Sequence, residues 1–293
     1  MPAQTKSRKV FLICNNIFLC LIAFLCLLPL LNILAISFSS SSRAASGAVK
    51  LWPLGFNLTS YTYVFQRDAF WRALIRSFQR VALGVSINMF LTIITGYPLS
   101  REARSFRLRT VYVWFFFITM LFSGGLIPGY LLIQNLKLMN SIWALVLPGA
   151  VPVFNMILML NFFRQIPREL EEASLIDGAS YWSTLWRIYV PVSMPAVATL
   201  TLFAVVGHWN SWFDGLIFSN FPEKYPLQSY LQTIVIQPDI SLLGGDEWMH
   251  LRDVSDRTIR CAQIFMGILP VLCVYPFLQR YFVKGIVVGS VKG

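Results

Sequence analysis

Charge is the scarcest commodity in this chain. Only 13% of its 293 residues are Asp, Glu, Lys or Arg, while 56% are hydrophobic. A soluble domain carries about 25% charged residues, so a soluble globular fold is excluded. A chain surrounded by lipid satisfies its backbone polar groups within helices or a closed barrel. The apolar runs here reach about 20 residues, which is helix length rather than the roughly 10-residue strands of a barrel. The sequence therefore predicts an all-α, polytopic membrane protein.

Other scarcities exclude catalytic classes. The dipeptide Gly-Lys does not occur, so there is no P-loop to cradle nucleotide phosphates. His208 and His250 are the only histidines, and neither belongs to an H-E-x-x-H pair. No G-x-S-x-G nucleophile elbow is present. The five cysteines (Cys14, Cys20, Cys26, Cys261 and Cys273) form no C-x-x-C and are odd in number, so they are expected to be buried apolar fillers. Acids are few inside the apolar runs, and Asp214 is the only one within an expected span. A proton or sodium path generally needs intramembrane carboxylates, so ion coupling is the weaker alternative. The chain is not expected to be an enzyme. Its net charge of +11 does not imply nucleic acid, because no basic run with interleaved aromatics lies outside the spans.

Six spans are expected, at about 10–38, 73–99, 110–133, 142–163, 192–218 and 258–283, forming one membrane domain over 1–293. The first apolar run is far longer than the 7–15 residues of a signal sequence and is read as an uncleaved span. The third contains Ser123-Gly-Gly, a break, and the fourth contains Pro148 and Pro152. Lys6, Arg8 and Lys9, Arg101, Arg104, Arg107 and Arg109, Arg164, Arg168 and Arg187, and Lys284 and Lys292 fall on one side, against Lys137 in the short opposite turn. The positive-inside rule places both termini and residues 164–191 in the cytoplasm. The two longer outside loops, 39–70 and 219–256, translocate regardless of their basic residues.

Residues 164–191 form the longest polar stretch on that side. Pro167 suits the first helical position, with Glu169, Glu171 and Glu172 near the positive helix end. Asp177-Gly178 ends that helix. A second short helix presents Trp182, Leu185, Trp186 and Tyr189 at i, i+3, i+4 and i+7, an aromatic face suited to a bilayer interface.

Glu172-Ala173, then Asp177-Gly178, then nine residues and Ile188-Tyr-Val-Pro191 resemble the EAA loop of ABC importer permeases, with Val190 at a usual leucine. Three further stretches are similar to the carbohydrate, maltose-type members, the last of them to the subgroup that imports complex oligosaccharides. They are Tyr97-Pro-Leu-Ser-Arg101, then His208-Trp-Asn-Ser-Trp-Phe-Asp214 with Tyr225-Pro-Leu-Gln228, and the C-terminal Pro276–Gly285 with Gly289–Gly293. The resemblance implies a type I permease fold and a loop that docks on an ATPase through Glu171, Glu172, Ala173, Asp177, Gly178, Ile188 and Pro191. It implies a homologous second permease in a heterodimer, two ATPase subunits that bind ATP and Mg, and an extracytoplasmic solute-binding protein, all at the bacterial inner membrane.

A sugar path needs hydrogen-bonding groups for hydroxyls and aromatic rings for C–H faces. Trp209, Asn210, Trp212 and Asp214 offer both; the alternative is an interfacial aromatic belt with Asn210 bonded to a neighbouring helix. Asp68, Arg72, Arg76 and Arg80 recur every four residues and form one stripe if helical. Arg76 and Arg80 are candidates to face the path and favour an anionic, uronic-acid sugar, because guanidinium pairs bidentately with carboxylate. The alternative is an Asp68–Arg72 helix pair, with arginines reaching to lipid headgroups.

Overall fold

The computed structural model describes residues 6–102, 105–236 and 256–290, which are helical with no strand. Arg104, loop residues 237–255 with His250, and residues 291–293 of the C-terminal stretch lie outside the described residues.

The chain divides into two compact units. The first comprises Met1–Phe70 with Thr233–Leu269. It holds α1 (Lys6–Ser37), α2 (Ser41–Ala45) and α3 (Thr59–Gln66). α15 (Asp256–Ser290) begins in this unit. α1 passes through Pro29 without ending. Its lower part packs Ala35 and Ile36 against Ala44, Val49 and Cys261. The Asn32 amide donates to Lys50 O at 2.5 Å, and Arg257 donates to Ala44 O at 3.1 Å. Asn57 Oδ1 accepts from the Thr59 backbone N–H at 2.6 Å, a local turn that opens α3. Four of the five cysteines are exposed on helix surfaces and only Cys261 is buried, so the expected burial holds for one alone.

The second unit comprises Trp71–Gln232 with Pro270–Gly293. α4 (Asp68–Ser100) supplies its long helix. Next come α5 (Arg109–Leu121), α6 (Leu126–Asn135), α7 (Trp143–Val146) and α8 (Val153–Arg164). α9 (Arg168–Ile176) and α10 (Tyr181–Thr184) lead into a π-helical segment, Leu185–Tyr189, and α11 (Val190–Val192). α12 (Met194–Asn210), α13 (Phe213–Phe218) and α14 (Leu227–Ile236) complete it.

Among the described residues, three helices are long and apolar enough to cross a membrane unbroken: Ser7–Ser37, Asp68–Ser100 and Arg257–Val274. The other expected spans are interrupted. The third bends by 110° between α5 and α6, where Gly125 adopts a positive φ of 88°, so the Ser123-Gly-Gly break is a sharp corner. The fourth is two pieces, α7 and α8, parted at Pro148 and Pro152 because proline has no N–H to continue a helix. The fifth meets the preceding helix at 83°, ends at Asn210 and resumes as α13. Of the six expected spans, the first, second and sixth fall on unbroken helices among the described residues, and the third, fourth and fifth are bent or divided.

The core of this unit gathers Met89, Ile93 and Tyr97 of α4, Met159 and Phe163 of α8, Leu185 and Tyr189 of the π segment, and Ala196 and Leu200 of α12. Tyr97, Phe163 and Tyr189 meet edge to face, with centroids 4.8 to 6.4 Å apart. Each such pair adds roughly 0.5–1.5 kcal/mol beyond area burial.

Candidate functional site

The polar loop forms a helix, a turn and a second helix, as expected. Pro167 is the N-cap, one place before the first helical residue, with ψ 135°. Gly178 takes φ +78°. Its N–H donates to Leu175 O at 3.1 Å and that of Ala179 to Ser174 O at 2.9 Å. These two bonds close the helix end in a Schellman turn, which glycine enters without a Cβ clash. Ser180 Oγ accepts from Ser183 N–H at 3.3 Å and caps α10.

The second helix is not one aromatic face. Leu185 and Tyr189 turn into the core, Trp186 is half-buried and Trp182 is exposed. The π segment redirects them. Pro191 has no N–H to offer the helix, and the Val190 N–H reaches back five residues to Leu185 O.

α9 has two sides. Inward, Ser174 Oγ and Thr184 Oγ1 share a 2.9 Å hydrogen bond. Glu171 forms an ion pair with Arg101 and accepts from Tyr189 O–H at 2.6 Å. Arg101 and Glu171 are only 15% and 16% exposed. The Arg101 guanidinium lies over the Tyr181 ring, 4.1 Å from its centroid. Arg168 pairs with Glu102, whose hydrogen bond holds the Arg168 guanidinium above its ordinary pKa. Of these groups, Arg101, Glu102, Arg168, Glu171, Tyr181 and Tyr189 line a polar cleft of about 520 Å³. Outward, Glu172, Ala173, Asp177 and Gly178 are exposed, and Ile176 is 86% exposed. Pro191 is exposed and Ile188 half-buried.

Of the seven residues expected at a docking face, the structure therefore brings Glu172, Ala173, Asp177 and Gly178 onto one exposed surface. It turns Glu171 inward. Ile176 and Leu170, missed in the sequence reading, supply apolar surface there. The available signal was an apolar residue standing outward on an otherwise polar helix.

The second group of candidates lies around the end of α12. Arg80 is 3% exposed and pairs with Asp214, which is 25% exposed. Arg80 Nη1 donates to Asp214 Oδ1 at 3.0 Å and to Ser211 O at 3.2 Å. Asp214 Oδ1 also accepts from Ser211 Oγ and from the Gly215 N–H, each at 2.9 Å. About two turns along α4, the Asn88 amide donates to Gly149 O at 2.8 Å, and its oxygen lies 2.8 Å from His208 Nε2. Trp209 is buried with an edge-to-face contact to Phe78 at 5.4 Å. Asn210 and Trp212 are exposed. Arg76 is half-buried, and its Nε has no hydrogen-bond partner among the described residues. The structure thus brings Arg80 and Asp214 together in a buried bracket and leaves Arg76, Asn210 and Trp212 outside it. Since Asp214 already has a cationic partner, it is a poor carrier for a second cation.

The unit is thus helical, with broken spans and a polar helix braced on one side and exposed on the other. The chain belongs to the family described as binding-protein-dependent transport system inner membrane component, whose model matches residues 87–287. It is accordingly the permease part of an ABC importer, a multi-pass inner-membrane protein that works with a binding protein, and not an enzyme.

Particular relatives narrow this. The chain is 40% identical to Protein LplC of Bacillus subtilis (strain 168) over 290 residues, covering 99% of this chain and 97% of that protein. It is 38% identical to the polygalacturonan/rhamnogalacturonan transport system permease protein YtcP of the same organism over 281 residues, covering 94% and 96%. Among solved structures, it matches a chain of a bacterial ABC transporter involved in the import of the acidic polysaccharide alginate. The TM-score is 0.87 and the identity 31%, covering 96% of this chain and 100% of that one. The type I permease fold is thereby shown.

Proposed function

We propose that this chain is one of two permease subunits of an ATP-driven importer of acidic, uronic-acid-containing oligosaccharides. One observation carries the transport role: α9 is held rigidly from within while presenting Glu172, Ala173, Ile176 and Asp177 outward. A helix braced on one side and exposed on the other is suited to receive a partner. In this reading the partner is one of two cytoplasmic ATPase subunits, which bind ATP and Mg. Both termini are cytoplasmic, a homologous permease completes the path, and an extracytoplasmic protein delivers the sugar. ATP binding closes the ATPase pair and moves the two coupling helices, and hydrolysis resets them.

The acidic substrate class is supported by two relatives whose names specify acidic polysaccharides. It is also supported by Arg76, a cation whose Nε is unmatched among the described residues. We infer that Arg76, Asn210 and Trp212 line the path, while Arg80, Asp214 and Trp209 hold the wall behind them. Ion-coupled transport without an ATPase is the competing reading, and the Arg80–Asp214 pair speaks against it.

The test is ATP hydrolysis and uptake by the purified complex in lipid, with binding protein loaded with a uronic-acid oligomer or with a neutral one. Hydrolysis should rise with the acidic ligand, and Glu172→Lys should abolish the rise while the permease pair stays assembled. Arg76→Gln should lower acidic uptake relative to neutral uptake. Flux that follows an ion gradient without an ATPase would refute the importer reading; an unchanged acidic preference in Arg76→Gln would refute the path assignment.

A further inference from the structure

α9 is nine residues long and buries only Ser174, so apolar packing does not fix it. The Ser174–Thr184 hydrogen bond ties it to α10, and one carboxylate ties it to the end of α4 and to the π segment. Glu171 takes an ion pair from Arg101, just past the end of α4, and a 2.6 Å hydrogen bond from Tyr189 in the π segment. Both partners are themselves immobilised. Tyr189 is 5% exposed and sits edge to face with Tyr97 and Phe163. The Arg101 guanidinium lies over the Tyr181 and Tyr97 rings, 4.1 and 5.2 Å from their centroids. The chain that follows α9 turns at Gly178 with φ +78°, a flexible residue type at the joint. Without the carboxylate, a push on α9 could be absorbed at that joint.

We propose that Arg101, Glu171 and Tyr189 form a strap that makes α9 and the end of α4 move as one body. A displacement of α9 is then delivered directly to the membrane-crossing helix. This rests on the reading of α9 as the ATPase-docking helix. It assigns Arg101, Glu171 and Tyr189 as positioning residues, internal to the permease, rather than as contacts to the ATPase. The exposed Arg168–Glu102 pair joins the same two segments but is open to water, where such a pair contributes little.

The strap makes a specific demand on coupling. Arg101→Gln and Glu171→Gln should each leave the ATPase subunits bound and hydrolysing. Uptake per ATP hydrolysed should fall by about fivefold or more, the scale of a site-to-site coupling. Because the two residues act through one another, Arg101→Gln/Glu171→Gln should be no worse than either single change. Tyr189→Phe removes one hydroxyl and keeps the ring packing, and should lower the ratio by about twofold, the scale of one modest hydrogen bond.

The measurement is made on the whole complex in proteoliposomes with loaded binding protein, recording ATPase co-purification, hydrolysis and uptake. Wild-type ratios in the single variants, or a double variant whose loss is the product of the singles, would overturn the strap. So would release of the ATPase from an intact permease pair, which would make Glu171 a docking contact. If a charged variant fails to assemble its permease pair, Tyr189→Phe decides the matter: a lowered ratio supports the strap and a wild-type ratio overturns it. A wild-type complex without ATP-driven uptake would remove the parent reading instead, and is seen before any substitution is made.

Discussion

Replacing Asp214 with Asn leaves an acceptor oxygen where Arg80 points but takes away its counter-charge. Arg80 is 3% exposed, and its Nε has no hydrogen-bond partner among the described residues. Breaking a buried pair by removing one member costs roughly 3–5 kcal/mol, most of it from the charge left behind. Asp214 is 25% exposed, so water reaches its side of the pair and the lower end applies, about 3 kcal/mol. That corresponds to more than a hundredfold in a folding equilibrium, at about 1.4 kcal/mol per factor of ten. A multi-subunit membrane complex unfolds irreversibly, so the readout is a half-life on heating, followed as the monodisperse fraction by size-exclusion chromatography. Asp214→Asn should shorten it strongly. Arg80→Met/Asp214→Leu, which removes both charges, should recover much of the loss, since an apolar pair of similar volume often matches a buried ion pair. Asp214→Asn as durable as wild type, or a double variant less durable than it, would refute the reasoning. The double variant should also retain ATP-driven uptake, whereas a folded double variant with no uptake would return Asp214 to consideration as an ion carrier.

Close packing gives two more outcomes. A Cβ on Gly84 would lie 2.4 Å from His208 Nε2, so Gly84→Ala must displace a ring hydrogen-bonded to Asn88. The expected loss is about 1–3 kcal/mol, checked by the same heating assay; Gly149→Ala, with nothing within 4 Å, is the comparison. Gly178→Ala places a Cβ at φ +78° and should cost about 1–2 kcal/mol locally, read as faster amide exchange over 168–179 with uptake per ATP reduced. Ile176→Glu should leave the permease pair as stable as wild type, because the side chain is 86% exposed, and should weaken ATPase co-purification. Undiminished co-purification would place the docking face elsewhere on α9.

The parts of this fold that were legible in the sequence are those set by local chemistry. Ser123-Gly-Gly and the Pro148/Pro152 pair mark the broken spans because glycine and proline act through their own backbone. Asp177-Gly178 ends α9 for the same reason. The number of unbroken spans was not legible, since mean hydropathy does not register a 110° corner. The aromatic face of the second helix failed because a regular period of 3.6 was assumed through Leu185–Tyr189, where the helix is π-wound. Pro191 is the one local signal of that change, and it is also part of the loop motif.

The candidate site residues divide along the same line. Glu172, Ala173 and Gly178 stand out by spacing and are exposed in the structure. The inward turn of Glu171 does not, because it depends on Arg101, 70 residues earlier, and on a tyrosine carried by a distorted helix. Arg80 shows the converse error. Four-residue spacing correctly put it in one stripe with Arg76, yet its partner Asp214 lies 134 residues away. Charge on a helix face therefore says nothing of accessibility until the opposing helix is known. Arg76 and Arg80 share type, stripe and helix, and among the described residues a carboxylate meets only Arg80. On the proposed assignment that difference separates wall from path, and it is why Arg76→Gln should alter substrate preference while Arg80→Met/Asp214→Leu should alter it little. Acidic-to-neutral uptake ratios for the two variants, measured side by side, decide it. An equal loss of acidic preference in both would mean that Arg80 acts on the solute through its partner, and the distinction between wall and path would fall.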